Sequence, residues 1–265
     1  MITFIIPVYN KGSILFKTLA ILIHQLKKNQ ILDYEIIIVN DGSTDNSLKE
    51  AIRFKHFNGE TQKIKIHYYQ NNVGKGYALR YGFSKSVGDP VVFLDGDMNI
   101  NASFVLKALR VYKQFQPDMV IGSKYLPSSR THYPFVRYLY SIILKFTITA
   151  LFHLRVSDTQ VGLKVFRRNV LENTLPKLVI KQFASDLELL IVASLLHYDK
   201  IFELPVVIKH SSANKSSIGM LAVKNFCQDI LALFYRRYII HYYNQPLQMP
   251  DPASSVLIQP ATPLL

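Results

Sequence analysis

"DPVVFLDGDMNINASF", Asp89–Phe104, is the stretch whose reading decides the fold. Val91–Leu94 is an unbroken apolar run, bounded by Pro90 before it and by Asp95-Gly96-Asp97 after it. So short a run is a strand rather than a helix, and its lack of alternation means both faces are covered. Comparable strands are "TFIIPV" (3–8), "YEIIIVN" (34–40) and "DMVIGS" (118–123), and "KIKIHYY" (63–69) is a strand with period-two alternation. Helical patterns lie between them. Ser13–Lys28 places Ile14, Leu15, Leu19, Leu22, Ile23 and Leu26 on one face. "DGSTDNSLKEAIRF" offers Ser43 or Thr44 as a helix cap, "NNVGKGYALRYGFSKS" turns into a helix, and Ala102–Phe115 forms another. Repeated strand–helix units give an α/β fold, Rossmann-like, with a mostly parallel sheet and helices on both faces. Ligands of such sheets bind beyond the carboxyl ends of the strands. The candidate positions are therefore Pro7–Asn10, Asp41–Asp45, Asn71–Lys75, Asp95–Asn99 and Gly122–Tyr125.

Two carboxylates at the end of a buried strand repel unless a cation stands between them. Asp95 and Asp97, with Asn99 beside them, are hard oxygen ligands of the kind that hold Mg²⁺ or Mn²⁺ together with substrate phosphates. Asp41 and Asp45 in "VNDGSTD" serve either as turn and cap residues or, for Asp41, as an acceptor for a nucleobase or ribose. Lys75 in "NVGKG" lacks the spacing of a phosphate-binding P-loop, yet at a helix start it can face a pyrophosphate.

The 265 residues carry 31 Lys and Arg against 18 Asp and Glu, a net charge of +13 that favours anionic partners. Without a block of consecutive basic residues, nucleic acid is not the expected partner. A single cysteine, Cys227, excludes a structural disulfide within the chain. "MITFIIPVYNKG" has no basic region ahead of its apolar run, so a cytoplasmic location is expected rather than secretion. Tyr138–Leu154 is strongly apolar but contains Lys145, and Ile218–Tyr243 contains Lys224, Asp229, Arg236 and Arg237. Neither supplies the ~20 uninterrupted apolar residues of a spanning helix. They read as buried helices or as helices lying in a membrane interface. From Gln245 onward the chain is Pro-rich and reads as a disordered tail.

"IIPVYN", "EIIIVNDGSTD", "NVGKGYALRYG", "VVFLDGDMN", "IGSKYL" and "SDTQVGLKVFRR" stand in the order seen in family 2 glycosyltransferases of GT-A fold, which this chain resembles over roughly residues 1–240. The last motif and "DLELL…ELPV" are similar to those of polyprenyl-phosphate sugar transferases, the dolichyl-phosphate mannose and glucose synthases. That resemblance implies an inverting transfer from a GDP- or UDP-sugar to a polyprenyl phosphate, at the cytoplasmic membrane face and with a divalent metal. It implies Pro7, Tyr9, Asn10 and Asp41 around the nucleoside, and Asp95, Asp97 and Asn99 around metal and diphosphate. Lys11 stands where the family usually has an acid, and Lys124 where it often has Arg.

An acceptor phosphate needs cations, and Arg137, Lys164, Arg167, Arg168 and Lys215 are the candidates, Arg137 and Lys164 foremost. A phosphate monoester with a second pKa near ~6 is largely ionised at neutral pH and attacks without a protein base. Asp186 and Glu188 are expected to help bind sugar or metal, or else to be helix-surface charges. Asp186 would serve as base if the acceptor were a hydroxyl of a polysaccharide or glycolipid. A nucleotide-sugar-binding protein without turnover is the non-enzymatic alternative. Residues 1–215 are expected to form the transferase domain, with 135–157 as the apolar acceptor segment. Residues 216–244 would form an amphipathic helical region and 245–265 the tail.

Overall fold

The computed structural model describes residues 1–97, 102–131, 135–182, 184–208 and 220–245. Its first half realises the expected alternation: β1 (Ile2–Val8), α1 (Gly12–Lys28), β2 (Tyr34–Asp41), α2 (Ser47–Asn58), β3 (Ile64–Tyr69), α3 (Lys75–Ser84), β4 (Val91–Leu94), α4 (Ala102–Phe115) and β5 (Met119–Ser123). The second half adds β6 (Arg130–Thr131), α5 (Phe135–Phe152), β7 (Leu163–Phe166), α6 (Arg168–Thr174) and α7 (Ser185–Leu195). It ends with β8 (Ile201–Pro205), β9 (Val207–Ile208) and α8 (Met220–Phe234), which runs into a wider π-helical turn at Tyr235–Ile239.

Seven strands share one sheet in the order β3-β2-β1-β4-β7-β5-β8, while β6 and β9 pair separately. Every pairing in the large sheet is parallel except those of β7, which runs antiparallel to both β4 and β5. Successive side chains enter opposite layers. Phe4, Ile6 and Val8 of β1 pack with Leu15, Leu19 and Leu22 of α1 and Val105 and Leu109 of α4. On the other face Ile5, Phe93, Ile121 and Phe166 meet Leu187, Leu190 and Ile191 of α7, with Phe152 of α5 and Leu233 of α8 behind them. Each such fully buried side chain contributes about 1.5–3 kcal/mol. The strand order turns between β1 and β4, and this opens a crevice at their carboxyl ends. Tyr9–Lys11 and Asp95–Asp97 are the residues that border it.

Three local features depart from what the sequence patterns show. "SDTQVGLKVFRR" contains a core strand, β7, that periodicity does not reveal because Lys164 interrupts its four residues. Residues 201–208 hold two strands rather than one. β8 follows β5 as far as Pro205, which lacks an N–H, and after Val206 the chain leaves to pair β9 with β6. The first residue of α2 is preceded by Asn46 at its cap, not by Ser43 or Thr44. Asn99 and Lys215 lie outside the described residues, as does the expected tail beyond Gln245.

Candidate active site

The loops after β1 and β2 are bound to one another before any ligand enters. Asn10 adopts a positive φ of 50°, which asparagine tolerates. Its Oδ1 accepts from the Thr44 amide at 2.9 Å, and its own amide donates to Ser43 Oγ at 3.0 Å. Asp45 Oδ2 accepts from the Gly12 amide at 2.9 Å, and Asp45 Oδ1 accepts from the amide and hydroxyl of Ser47. Burial pushes the Asp45 carboxyl up, but the hydrogen bonds from Ser47 and Gly12 outweigh it and hold the group below the usual carboxylate range. Asp45 thus caps α1 and α2 together. Tyr9, expected at the nucleoside, is exposed beside this clasp, and Pro7 lies in β1 beneath it.

Asp41, expected to accept from a nucleobase or ribose, is buried with both oxygens engaged inside the protein. Oδ1 accepts from the Val73 amide at 2.8 Å, and Oδ2 accepts from the Gly74 amide at 3.0 Å and Asn72 Nδ2 at 2.9 Å. It therefore shapes the 72–74 loop that leads to α3. The hydroxyl of Tyr69 is raised above its ordinary value, first by burial and then by this carboxylate. The start of α3 does not point its amides into the crevice. Gly76 N and Tyr77 N donate to the Lys181 carbonyl at 2.7 and 3.3 Å. Gly74, with φ of 118°, packs so close that a Cβ would come within 2.4 Å of the same oxygen. The expected pyrophosphate seat at this helix end is thus occupied by the chain itself.

A ladder of charges runs from beneath the sheet to the crevice. Lys164 in β7 points to the α7 face and is 1% exposed, its Nζ 2.9 Å from Asp186 Oδ1 and 2.8 Å from the Val161 carbonyl. Asp186 Oδ2 accepts from Lys75 Nζ at 2.9 Å, and Lys75 Nζ lies 2.8 Å from Asp95 Oδ1. Burial penalises both inner charges. For Asp186, Lys164 and Lys75 outweigh that penalty and hold the carboxyl below its usual range. For Lys75, Asp186 and Asp95 outweigh it and raise the ammonium above the ordinary lysine value. Beside the ladder, Lys11 Nζ lies 3.2 Å from Asp97 Oδ2. Both carboxylates of "DGD" therefore carry an ammonium partner.

This geometry corrects several expectations. Lys164 is a buried counter-ion of Asp186, not a surface cation facing an acceptor phosphate. Asp186, 4% exposed, is not a helix-surface charge; it pairs with Lys75 and Lys164. Arg167 follows an antiparallel strand and so emerges at the opposite edge of the sheet, where it bonds the Gln116 carbonyl and lies near Asp118. Arg168 shares that edge, donating to the Ser86 and Gly88 carbonyls. Glu188 is wholly buried, accepting from Val179 N, Ile180 N and Tyr243 OH, and burial pushes its carboxyl up. Arg137 falls in the first turn of α5. At the carboxyl end of β5, the Lys124 and Lys145 ammonium groups each stand 4.6 Å from the Tyr125 ring centre.

Two features of the site went unread in the sequence. Gly162 precedes β7, and a Cβ there would lie 2.0 Å from Asp95 Oδ2; Asp95 N donates to its carbonyl at 3.1 Å. The pairing of Lys75 with Asp186 joins residues 111 positions apart, beyond any local pattern. As for a cation, Asp95 and Asp97 offer carboxylate oxygens at the crevice, and Gly162 leaves the space in which Asp95 stands. Among the described residues no group of three or more His, Cys, Asp or Glu gathers at a metal position, so a divalent metal here would be held by the two carboxylates together with a diphosphate.

A model of the family described as glycosyl transferase family 2 matches residues 3–175. The chain belongs to that family. Among relatives of this family 2 transferase, the dolichyl-phosphate beta-glucosyltransferase of Homo sapiens is 27% identical over 217 residues, 76% of this chain and 64% of that protein. The Saccharomyces cerevisiae protein of the same name is 27% identical over 255 residues, 90% of this chain and 75% of its own. The transferase thus spans less than two thirds of the human relative's length. Glucosyl-3-phosphoglycerate synthase of Mycobacterium tuberculosis, solved with Mn²⁺, UDP-glucose and phosphoglyceric acid, superposes with a TM-score of 0.64 at 20% identity, covering 89% of this chain and 79% of its own. Mannosyl-3-phosphoglycerate synthase of Rubrobacter xylanophilus gives a TM-score of 0.66 at 13% identity, covering 93% and 77%. These likenesses are of fold, the GT-A fold expected from the motifs.

Proposed function

We propose that this transferase moves glucose from UDP-glucose to the phosphate of a polyprenyl phosphate, with inversion at the anomeric carbon. The observation that carries this reading is the crevice itself. Asp95 and Asp97 stand at the carboxyl end of β4 beside the β1 and β2 loops, in a chain whose relatives are named for glucosyl transfer to dolichyl phosphate. UDP-glucose is favoured over GDP-mannose because those relatives are named for glucosyl transfer.

The nucleoside lies over Pro7, Tyr9 and Asn10, on the floor that Asn10 and Asp45 hold rigid. Asp95 and Asp97 would hold a divalent metal, Mg²⁺ or Mn²⁺, which would supply positive charge to the departing diphosphate. Lys75 holds the Asp95 carboxylate in place by its ion pair. The acceptor phosphate is already an anion, so the protein positions the two substrates and needs no base on the acceptor side. Arg137 and Lys145 on α5 are the cations proposed to meet it; Lys124 nearby is already paired with the buried Asp158. Transfer to a hydroxyl acceptor is less well supported, because Asp186, the base that reaction would use, is buried between two lysines. The apolar 135–157 segment is proposed as the acceptor-facing part of a 1–215 transferase domain, with peripheral contact to the membrane.

The test is incubation of the full chain with radiolabelled UDP-glucose, a short-chain polyprenyl phosphate and Mg²⁺ or Mn²⁺, followed by organic extraction. Label enters the lipid phase with UDP-glucose and falls to background with EDTA. Label that stays in water for every donor, or that transfers equally to the free polyprenol, overturns the assignment.

A further inference from the structure

Lys11 and Lys75 both neutralise the paired aspartates, but they are held very differently. Lys75 also pairs with the buried Asp186 and is fixed from behind. Lys11 has its backbone anchored instead: its amide donates to Ser47 Oγ at 2.8 Å, and its carbonyl accepts from the amides of Ile14 and Leu15 at 3.0 and 2.9 Å. Its side chain is about a third exposed and forms one ion pair among the described residues, at 3.2 Å to Asp97. An ammonium at that distance from a carboxylate occupies the position a divalent cation needs, and two cations there repel. Four flexible methylenes let the ammonium leave while the α1 terminus stays in place.

We infer that Lys11 is an exchangeable internal cation: it holds Asp97 until a metal–nucleotide pair arrives, then swings from Asp97 to the diphosphate. The inference rests on the nucleotide-sugar reading above. Metal alone must break the Lys11–Asp97 pair and leave an ammonium beside a dication. Metal with a diphosphate meets no such penalty, because the displaced ammonium gains an anion. The two ligands are then positively coupled, each strengthening the other by the same factor. Lys11 supplies that coupling, and it also keeps the crevice from loading with metal that carries no donor.

The experiment is calorimetric and electron-paramagnetic-resonance titration of the full chain with Mn²⁺, with and without saturating UDP. Wild type binds Mn²⁺ weakly alone and at least ~10-fold more tightly with UDP, within the range usual for coupled sites. K11M is expected to bind Mn²⁺ alone about 10-fold more tightly than wild type and to lose most of the enhancement by UDP. K11R, which keeps the charge, retains the coupling and shows that the anchored backbone is undisturbed. Equal Mn²⁺ affinity in wild type and K11M, or coupling of the same size in both, overturns the role of Lys11 while leaving the nucleotide site standing. If neither protein binds UDP with or without Mn²⁺, the nucleotide-sugar reading fails and this inference fails with it.

Discussion

Gly162 is glycine because Asp95 occupies the space a side chain would need. Its Cβ would sit 2.0 Å from Asp95 Oδ2 and 2.3 Å from Cγ, so G162A forces the carboxylate out of line with Asp97 and Lys75. A displacement of about 1 Å at a reacting site costs roughly 100-fold in rate. G162A is therefore expected to lose about that factor in the proposed glucosyl transfer, with its unfolding midpoint close to wild type. Transfer at the wild-type rate would show that the Asp95 position is unimportant. Deeper in the ladder the consequence reverses. D186N leaves Lys164 buried without its counter-charge, a change that costs about 3 kcal/mol of stability. Urea unfolding of D186N should show that loss, alongside reduced transfer as Lys75 loses its anchor.

Among the elements, β2 shows the same logic at the far end of the sheet. Glu35 is buried and accepts from Thr3 Oγ1 at 2.6 Å, Lys65 Nζ at 2.7 Å and the Val87 amide at 2.8 Å, tying β1, β2, β3 and the loop before β4. Burial pushes its carboxyl up, but Lys65, Thr3 and Val87 outweigh that and place it below the ordinary 4.5. As pH falls the unfolded chain takes up this proton first. Glu35 thus stabilises fully above its ordinary value, and its contribution is lost as pH falls through the depressed one. E35Q should cost about 2 kcal/mol at neutral pH, with the gap to wild type closing in acid; urea midpoints across the range measure it. A gap independent of pH would assign the effect to packing. The strands flanking Glu35 were legible because β1, β2, β4 and β5 are continuous apolar runs, a signal needing no tertiary context. β7 was not legible, since Lys164 is a core residue only once Asp186 is opposite it. The aspartates of "DGDMN" were legible as charges at the carboxyl edge of the sheet, where each has an ammonium partner, whereas Arg167 was misplaced and the loop-fixing contacts of Asp41 were not read. Asp41 turns inward to satisfy a loop, and the reversed direction of β7 carries Arg167 away from the crevice.

At the scale of the whole molecule, charge and apolar surface combine on the second half. Ile143 and Phe146 of α5 are exposed, as are Leu231, Phe234, Tyr235, Ile239 and Ile240 at the carboxyl end of α8 and just after it. The two segments are locked together: Arg237 donates to the Phe152 carbonyl at 3.0 Å and Tyr238 OH to the Leu151 carbonyl at 2.7 Å. Among the described residues no helix is long and apolar enough to cross a membrane. Exposed aromatic and aliphatic side chains beside Arg236 and Arg237, on a chain of net charge +13, suit an anionic bilayer surface instead. Cosedimentation with vesicles containing phosphatidylserine is therefore expected, weakening as salt screens the charges. I143S/F146S removes apolar area without altering charge, and loss of one inserted phenylalanine alone corresponds to about tenfold in affinity. The double variant should dissociate from vesicles, and because both residues belong to the segment proposed to face the acceptor, its loss of turnover on a short, water-soluble polyprenyl phosphate should be smaller than its loss of vesicle binding. Undiminished vesicle binding would show that another face meets the lipid.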